Sequence, residues 1–356
     1  MINRKLIVII CTVTVFLIGA GIFLSDKKLN DANLKAGGGA NFILDSELSS
    51  FQFKEVEEMW VKRIDKVGAV EAYREFKEKY KTVSFGSQHP LMHVFGELLY
   101  TKEGVGGLAV CDSTFAFGCY HGFFTRAISE EGTELIPDLD KVCLDAFGLY
   151  GTGCQHGIGH GLVEYTGHSN LISALEACSM TTQVNKLFGC TSGVFMEYNT
   201  PTIFTGVNVT QKPRKLDRNN PHYPCNAAIP EEYRSSCYYE ISAWWGAVFN
   251  RDYEKIGALC EEVANKEQQE ACYMGFGGVA PPSANYDVGK TIRLCEKMPS
   301  FDGELLCRAG ASWVYFSIPE KRSQATLFCE GLTEENSKYC VQKSDILGTG
   351  EINLDI

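Results

Sequence analysis

The chain has 356 residues, a formal net charge of −11, 45% apolar residues and 22% charged residues. This composition fits a folded chain and excludes a disordered or low-complexity one. The acidity argues against a nucleic-acid partner, because neutralising phosphates needs a basic face, and without the two cations of the first 24 residues the charge is −13.

In chain order, residues 6–24 read LIVIICTVTVFLIGAGIFL and carry no charge. As a helix they would span roughly 29 Å, about one hydrocarbon core. Arg4 and Lys5 precede this run, so the positive-inside tendency leaves the N-terminus in the cytoplasm and the rest extracytoplasmic: periplasmic, extracellular or lumenal. Gly19-Ala20-Gly21 offers a small-residue cleavage site, but the apolar run continues through Ile22-Phe23-Leu24. That length favours an uncleaved single-pass anchor over a cleaved signal. Residues 1–24 are therefore read as a membrane anchor, and 25–46, with Gly37-Gly38-Gly39, as a flexible stalk.

Residues 47–104 give a capping helix and a first helical hairpin without cysteine. The periodicity of VGAVEAYREFKEKYK (67–81) predicts one helix, and Ser87–Thr101 a second. Ser87 is the expected N-cap, which leaves Pro90 in the first turn.

Fifteen cysteines mark the remainder. No C-x-x-C pair occurs, so metal clusters are disfavoured and disulfides in an oxidising compartment are expected. Apart from Cys11, in the apolar run, they fall into seven pairs: Cys111/Cys119, Cys143/Cys154, Cys178/Cys190, Cys225/Cys237, Cys260/Cys272, Cys295/Cys307 and Cys329/Cys340. Successive pairs begin 32, 35, 47, 35, 35 and 34 residues apart. A period near 35 is that of a helix–turn–helix repeat. The first cysteine should end helix A of a hairpin, the second should open helix B, and a disulfide should staple the two. Residues 105–345 thus predict seven stapled hairpins, with a loop insertion at 199–222 and a tail at 346–356. The fold class is all-α: an α-solenoid of about eight helical hairpins after an N-terminal transmembrane helix.

A glycine recurs three residues after the second cysteine, at Gly122, Gly157, Gly193, Gly275 and Gly310, with Glu240 and Lys343 breaking the pattern. Glycine inside a helix costs about 1 kcal/mol relative to alanine. Its repetition at one register predicts close packing of neighbouring B helices.

The histidines carry the chemical signal. Aligned on the second cysteine, with Ser87 standing for the missing one, the B helices place His89, His93 and Glu97, then His121, then His156, His160 and Glu164, at equivalent positions. Residues four apart share a helix face, and two such imidazoles can bind one ion. These seven residues are the candidate metal ligands, facing a common cavity with His121 as the bridge. Zinc, iron, copper and manganese are all compatible with imidazole plus carboxylate. Glu197 and Tyr198 are read as packing residues near the stripe, Trp244 and Trp245 as aromatic core, and His168 and His222 as solvated loop residues. No G-x-S-x-G or P-loop appears, and no residue is assigned as catalytic. The functional expectation is a membrane-anchored extracytoplasmic metal-binding helical-repeat protein, with a metalloenzyme as one form of it. The alternative is a non-enzymatic adaptor that binds a protein or peptide ligand on the solenoid face and uses its histidines structurally.

Overall fold

The structure is a computed structural model that describes residues 50–83, 85–182, 185–199, 214, 217–318 and 320–349. The expected anchor at 6–24 and stalk at 25–46 lie outside the described residues. Among the described residues there is no strand, and no helix is long and apolar enough to cross a membrane.

Helix α1 (Ser50–Val67) is the capping helix and α2 (Ala69–Tyr80) begins the cysteine-free hairpin. Gly68 separates them at φ 82°, the left-handed region that glycine enters without strain. Trp60 of α1 packs on Phe76 and Tyr80 of α2 and on Phe95 of α3 (Phe85–Glu103), which buries the apolar stripe of each. The start of α3 corrects the expected Ser87 N-cap. The helix begins at Phe85, so Ser87 and Pro90 both lie inside it.

The second arms follow as α4 (Gly118–Glu131), α6 (Thr152–Thr166), α8 (Cys190–Asn199), α9 (Arg234–Val248), α11 (Lys266–Ser283), α13 (Phe301–Ser317) and α14 (Glu334–Thr349). Four first arms are α-helical: α5 (Ile136–Phe147), α7 (Leu171–Ala177), α10 (Tyr253–Glu261) and α12 (Val288–Cys295). Three differ from the expectation. Cys111 and Cys329 follow 3₁₀ segments, Gly104–Val110 and Arg322–Phe328, and Cys225 sits among turns. Glycines at 104, 106 and 107 and prolines at 221, 224 and 230 disfavour an α-helix in two of these arms.

The expected role of the second cysteine as the opener of helix B also needs correction in the later hairpins. Cys119, Cys154 and Cys190 do lie in the first turn of their helices, but Cys272, Cys307 and Cys340 sit well inside α11, α13 and α14. The cause is a cap placed further upstream. Asn265 and Ser300 each accept a hydrogen bond from the backbone N–H three residues on, and Thr333 Oγ1 accepts one from the Asn336 N–H at 3.4 Å, so these helices begin before their cysteines. Cys340 is fully buried there, packed with Ala309 and Cys329. Asp252 and Asp287 cap α10 and α12 in the same way.

All seven expected cysteine pairs, from Cys111–Cys119 to Cys329–Cys340, are bonded, with Sγ–Sγ distances from 1.94 to 2.06 Å and Cα–Cα distances from 5.3 to 5.7 Å. Each bridge lies within one hairpin, and none joins neighbours. Seven disulfides suggest an oxidising, extracytoplasmic environment. Replacing both Cys260 and Cys272 by serine, which opens a 12-residue closure, is expected to cost about 3 kcal/mol. A lowered urea midpoint would report it, and an unchanged midpoint would show that the staple constrains nothing.

Neighbouring second arms touch backbone to backbone through the recurring glycines. A Cβ on Gly193 would stand 1.9 Å from the His156 carbonyl oxygen, on Gly275 1.8 Å from that of Tyr239, and on Gly310 2.1 Å from that of Met274. In each case the glycine three residues after one cysteine meets the residue two after the preceding second cysteine. Gly157 likewise meets His121, at its ring and Cα. Gly122 instead meets the carbonyl of His93, at 1.9 Å. His93 is therefore the residue equivalent to His121 and His156, and Leu91, not Ser87, holds the cysteine position in α3. Gly96 confirms this register. It packs on the Cys119 carbonyl, as Gly159 packs on that of Cys190 and Gly277 on that of Cys307. The expected alignment of α3 was thus displaced by four residues, one helical turn, because its marker cysteine is missing.

The last helix returns to the third second arm. Asn185 Nδ2 donates to the carbonyls of Ile346 (2.7 Å) and Leu347 (2.9 Å), and Thr152 Oγ1 donates to that of Gly348 at 3.5 Å. Residues 346–349, expected in the tail, are helical, and Leu347 and Gly348 are buried. The 199–222 insertion is tied down at its described end. Arg214 lies 3.4 Å over the Trp244 ring, and the indoles of Trp244 and Trp245 donate to the carbonyls of Arg214 and Pro221. Both tryptophans are core residues, as expected.

Candidate metal centre

In the observed register the contact of Gly122 with the His93 carbonyl sets α3 and α4 side by side at the histidines. His89 and His93, one turn apart on α3, face His121 of α4. Ring centroids are 4.3 Å apart for His89–His93, 5.0 Å for His89–His121 and 5.4 Å for His93–His121. One nitrogen from each lies within 4.8 Å of the others, and all three side chains are buried. Among the described residues, no other trio of His, Cys, Asp and Glu forms such a group.

The hydrogen bonds select the nitrogen each ring offers. His89 Nδ1 lies 2.8 Å from the Phe115 carbonyl and His121 Nε2 lies 3.1 Å from that of Gly153. A carbonyl only accepts, so those nitrogens carry the protons. The lone pairs then sit on His89 Nε2 and His121 Nδ1, and the latter is buried without a hydrogen-bond partner. His93 Nε2 is 2.9 Å from His89 Nε2. Two bonds of about 2.05 Å to one ion would subtend roughly 90° at that separation, and a tetrahedral angle needs roughly 3.3 Å. A few tenths of an ångström of side-chain motion covers the difference. Carbonyls that fix the tautomer and the ring plane are the usual outer support of histidine ligands.

That support is held under strain. Phe115, Ala116 and Phe117 have φ of 54°, 55° and 62°, three successive non-glycine residues in the left-handed region. Such residues cost of order 1 kcal/mol or more each, and persist where surrounding structure over-determines them. Here they aim the Phe115 carbonyl at His89 and put Ala116 and Phe117 on the wall of a cavity.

His156 and His160 of α6 extend the cluster, with centroids 5.6 and 5.1 Å from His121. His160 Nδ1 lies 2.8 Å from Glu197 Oε2, and these side chains are 0% and 1% exposed. His156 Nδ1 lies 3.1 Å from Ser192 Oγ, and Ser192 in turn hydrogen-bonds the Glu240 carboxylate. The carboxylates beside the cluster are therefore Glu197 and Glu240. The structure does not bring Glu97 or Glu164 into the three-histidine group. Glu97 stands one turn past His93, half-buried, its carboxyl pushed up to about 8 by desolvation. Glu240 is likewise pushed up to about 8 by burial, with Ser192 opposing the shift.

Sequence reasoning missed the role of Glu240, Ser192 and Met196. A signal was present: Glu240 stands where five other helices carry glycine, so its side chain is directed at the preceding helix, where Ser192 waits. The solvated reading of His168 and His222 also needs correction. Both are partly buried, His168 against the Glu197 carbonyl (3.2 Å) and His222 against Glu262 (3.1 Å).

The cavity has a volume of about 190 Å³. Its lining includes His89, His121 and His156 and the aromatic rings of Phe188, Tyr239 and Trp313. Burial keeps its imidazoles neutral. His89 is lowered from 6.5 to about 4 by desolvation, against the opposing Phe115 bond, and His121 and His156 are lowered by desolvation and by neighbouring imidazoles. A neutral imidazole is the form that ligates a metal. In metal-free protein, the NMR signal of the His89 ring should stay flat as pH falls through 6.5 and move only near about 4. A midpoint near 6.5 would show an open, hydrated ring.

No protein-family model matches this chain, and no curated protein or solved structure is significantly similar to it.

Proposed function

We propose that the protein is an extracytoplasmic metal-binding helical-repeat protein, a solenoid held at a membrane by residues 6–24, and that His89, His93 and His121 hold its ion. The observation that carries this reading is the trio of buried imidazoles from two helices, with ligand atoms within 4.8 Å of one another. Burying three polar rings together is costly, and an ion there would use the lone pairs that the carbonyl contacts leave over.

Three protein ligands beside a cavity are the pattern of a site that keeps a position for water or substrate, unlike a closed structural site. This supports the enzyme form of the reading. A bound ion would supply Lewis acidity at the cavity wall, and the protein would supply neutral, oriented imidazoles beside aromatic rings. Of the four candidate metals, an all-imidazole set suits zinc, copper and iron better than manganese. The largely apolar and aromatic lining favours an apolar ligand.

The test is metal analysis of the purified chain, wild type against His93→Ala. About one ion per chain, lost in the variant, supports the reading. A folded, metal-free wild type leaves the peptide-binding adaptor in its place.

A further inference from the structure

We propose that His156 and Met196 form a second metal site in the cavity wall, next to the three-histidine group, and that it takes copper(I). His156 lies two residues past Cys154 on α6, and Met196 six residues past Cys190 on α8. The contact of Gly193 with the His156 carbonyl sets the two helices so that His156 Nε2 and Met196 Sδ are 3.1 Å apart. Both residues line the cavity, so an ion can enter from it.

The hydrogen-bond chain on the other side of the ring sets the chemistry. Ser192 Oγ donates to Glu240 Oε1, which leaves the hydroxyl oxygen as acceptor for the His156 Nδ1 proton. The Nε2 lone pair then faces the lone pairs of the thioether sulfur. Two acceptors at 3.1 Å repel unless a cation lies between them. A Glu–Ser–His relay of this kind also fixes the ring plane, as outer partners of histidine ligands do.

The ligand types choose the ion. A thioether is a soft donor that selects copper(I) and contributes little to zinc or manganese. The pair is neutral, so a monovalent ion buries less charge there than a divalent one. Bonds near roughly 2.0 and 2.3 Å at a tetrahedral angle need a nitrogen–sulfur separation of roughly 3.5 Å. The unbranched methionine side chain can supply that small opening. The remaining position faces the cavity and is open to a third, small ligand. The inference stands apart from the three-histidine reading, because it uses different atoms and a different metal preference.

The experiment uses the full chain with Cys11→Ser, which removes the thiol outside the seven disulfides. Ascorbate-reduced copper is titrated against a chromophoric copper(I) chelator, and the loaded protein is examined by X-ray absorption at the copper edge. The expected result is a sulfur neighbour near roughly 2.3 Å that disappears in Met196→Leu, with copper(I) affinity at least about 30-fold weaker in the variant and zinc uptake unchanged. Leucine conserves the volume of methionine, so the fold should survive. Copper-loaded protein without a sulfur neighbour, or equal affinity in Met196→Leu, would overturn the site and assign the 3.1 Å contact to an N–H···S hydrogen bond. Retained copper–sulfur binding, with zinc, iron and copper uptake all unchanged by His93→Ala, would instead sink the three-histidine reading alone.

Discussion

Gly275→Ala is expected to destabilise the protein by about 3 kcal/mol or more, a fall in the melting midpoint of roughly 6–12 °C. The added methyl carbon would lie 1.8 Å from the Tyr239 carbonyl oxygen, 2.6 Å from its carbonyl carbon and 2.8 Å from its Cα. All three are backbone atoms of a neighbouring helix, so no rotamer change relieves the clash. Helices α9 and α11 would have to separate, and the disulfides Cys225–Cys237 and Cys260–Cys272 limit how each hairpin can adjust. Gly246→Ala gives the opposite result. A Cβ there meets nothing within 4 Å, in the same helix α9, so the change should gain up to about 1 kcal/mol from helix propensity. Equal effects of the two substitutions in a thermal melt would refute the close-packed glycine register.

His121→Ala is expected to weaken metal binding by more than about 100-fold, beyond the loss typical of outer-support residues. His121 is the one member of the trio outside α3, and its Nδ1 is buried without a hydrogen-bond partner. Without it, His89 and His93 offer only two ligands one turn apart on a single helix. His222→Ala is the matched control. That ring pairs with Glu262, so its loss should leave metal affinity unchanged. A His121→Ala protein that melts like the wild type and still binds the ion tightly would remove His121 from the site.

The hairpins could be read from the sequence because each unit carries its own covalent marker. A cysteine eight to twelve residues before another fixes the pairing of both arms of a hairpin. It does not fix where the second helix starts, which is set by the capping side chain. Cys340 therefore lies inside α14 and not at its opening. The glycine stripe was also informative, since a residue costly in a helix recurs only where a side chain cannot fit. Where the marker was missing, the reading failed. Ser87 stands at the cysteine position of α3 by spacing alone, and only the contacts of Gly96 and Gly122 place that position at Leu91. His89, His93 and His121, three of the five histidines expected to share a site, come together in the observed register. The carboxylate contacts of the other histidines were not legible in the same way. Glu97 and Glu164 share a stripe with histidines along the chain, whereas Glu197 reaches His160 from the next helix, a relation that periodicity within one helix does not encode. The three irregular first arms escaped because a disulfide spacing constrains the ends of a hairpin and not the backbone between them.

The most direct test of the three-histidine site is X-ray absorption on the full-length, disulfide-intact chain loaded with zinc, with metal content measured on the same sample. One ion per chain is expected at that site with three imidazole nitrogens at about 2.0–2.1 Å, and a spectrum that changes in His89→Ala, His93→Ala and His121→Ala alike. A folded protein that takes up no zinc, iron, copper or manganese, or a coordination sphere untouched by all three substitutions, would contradict it.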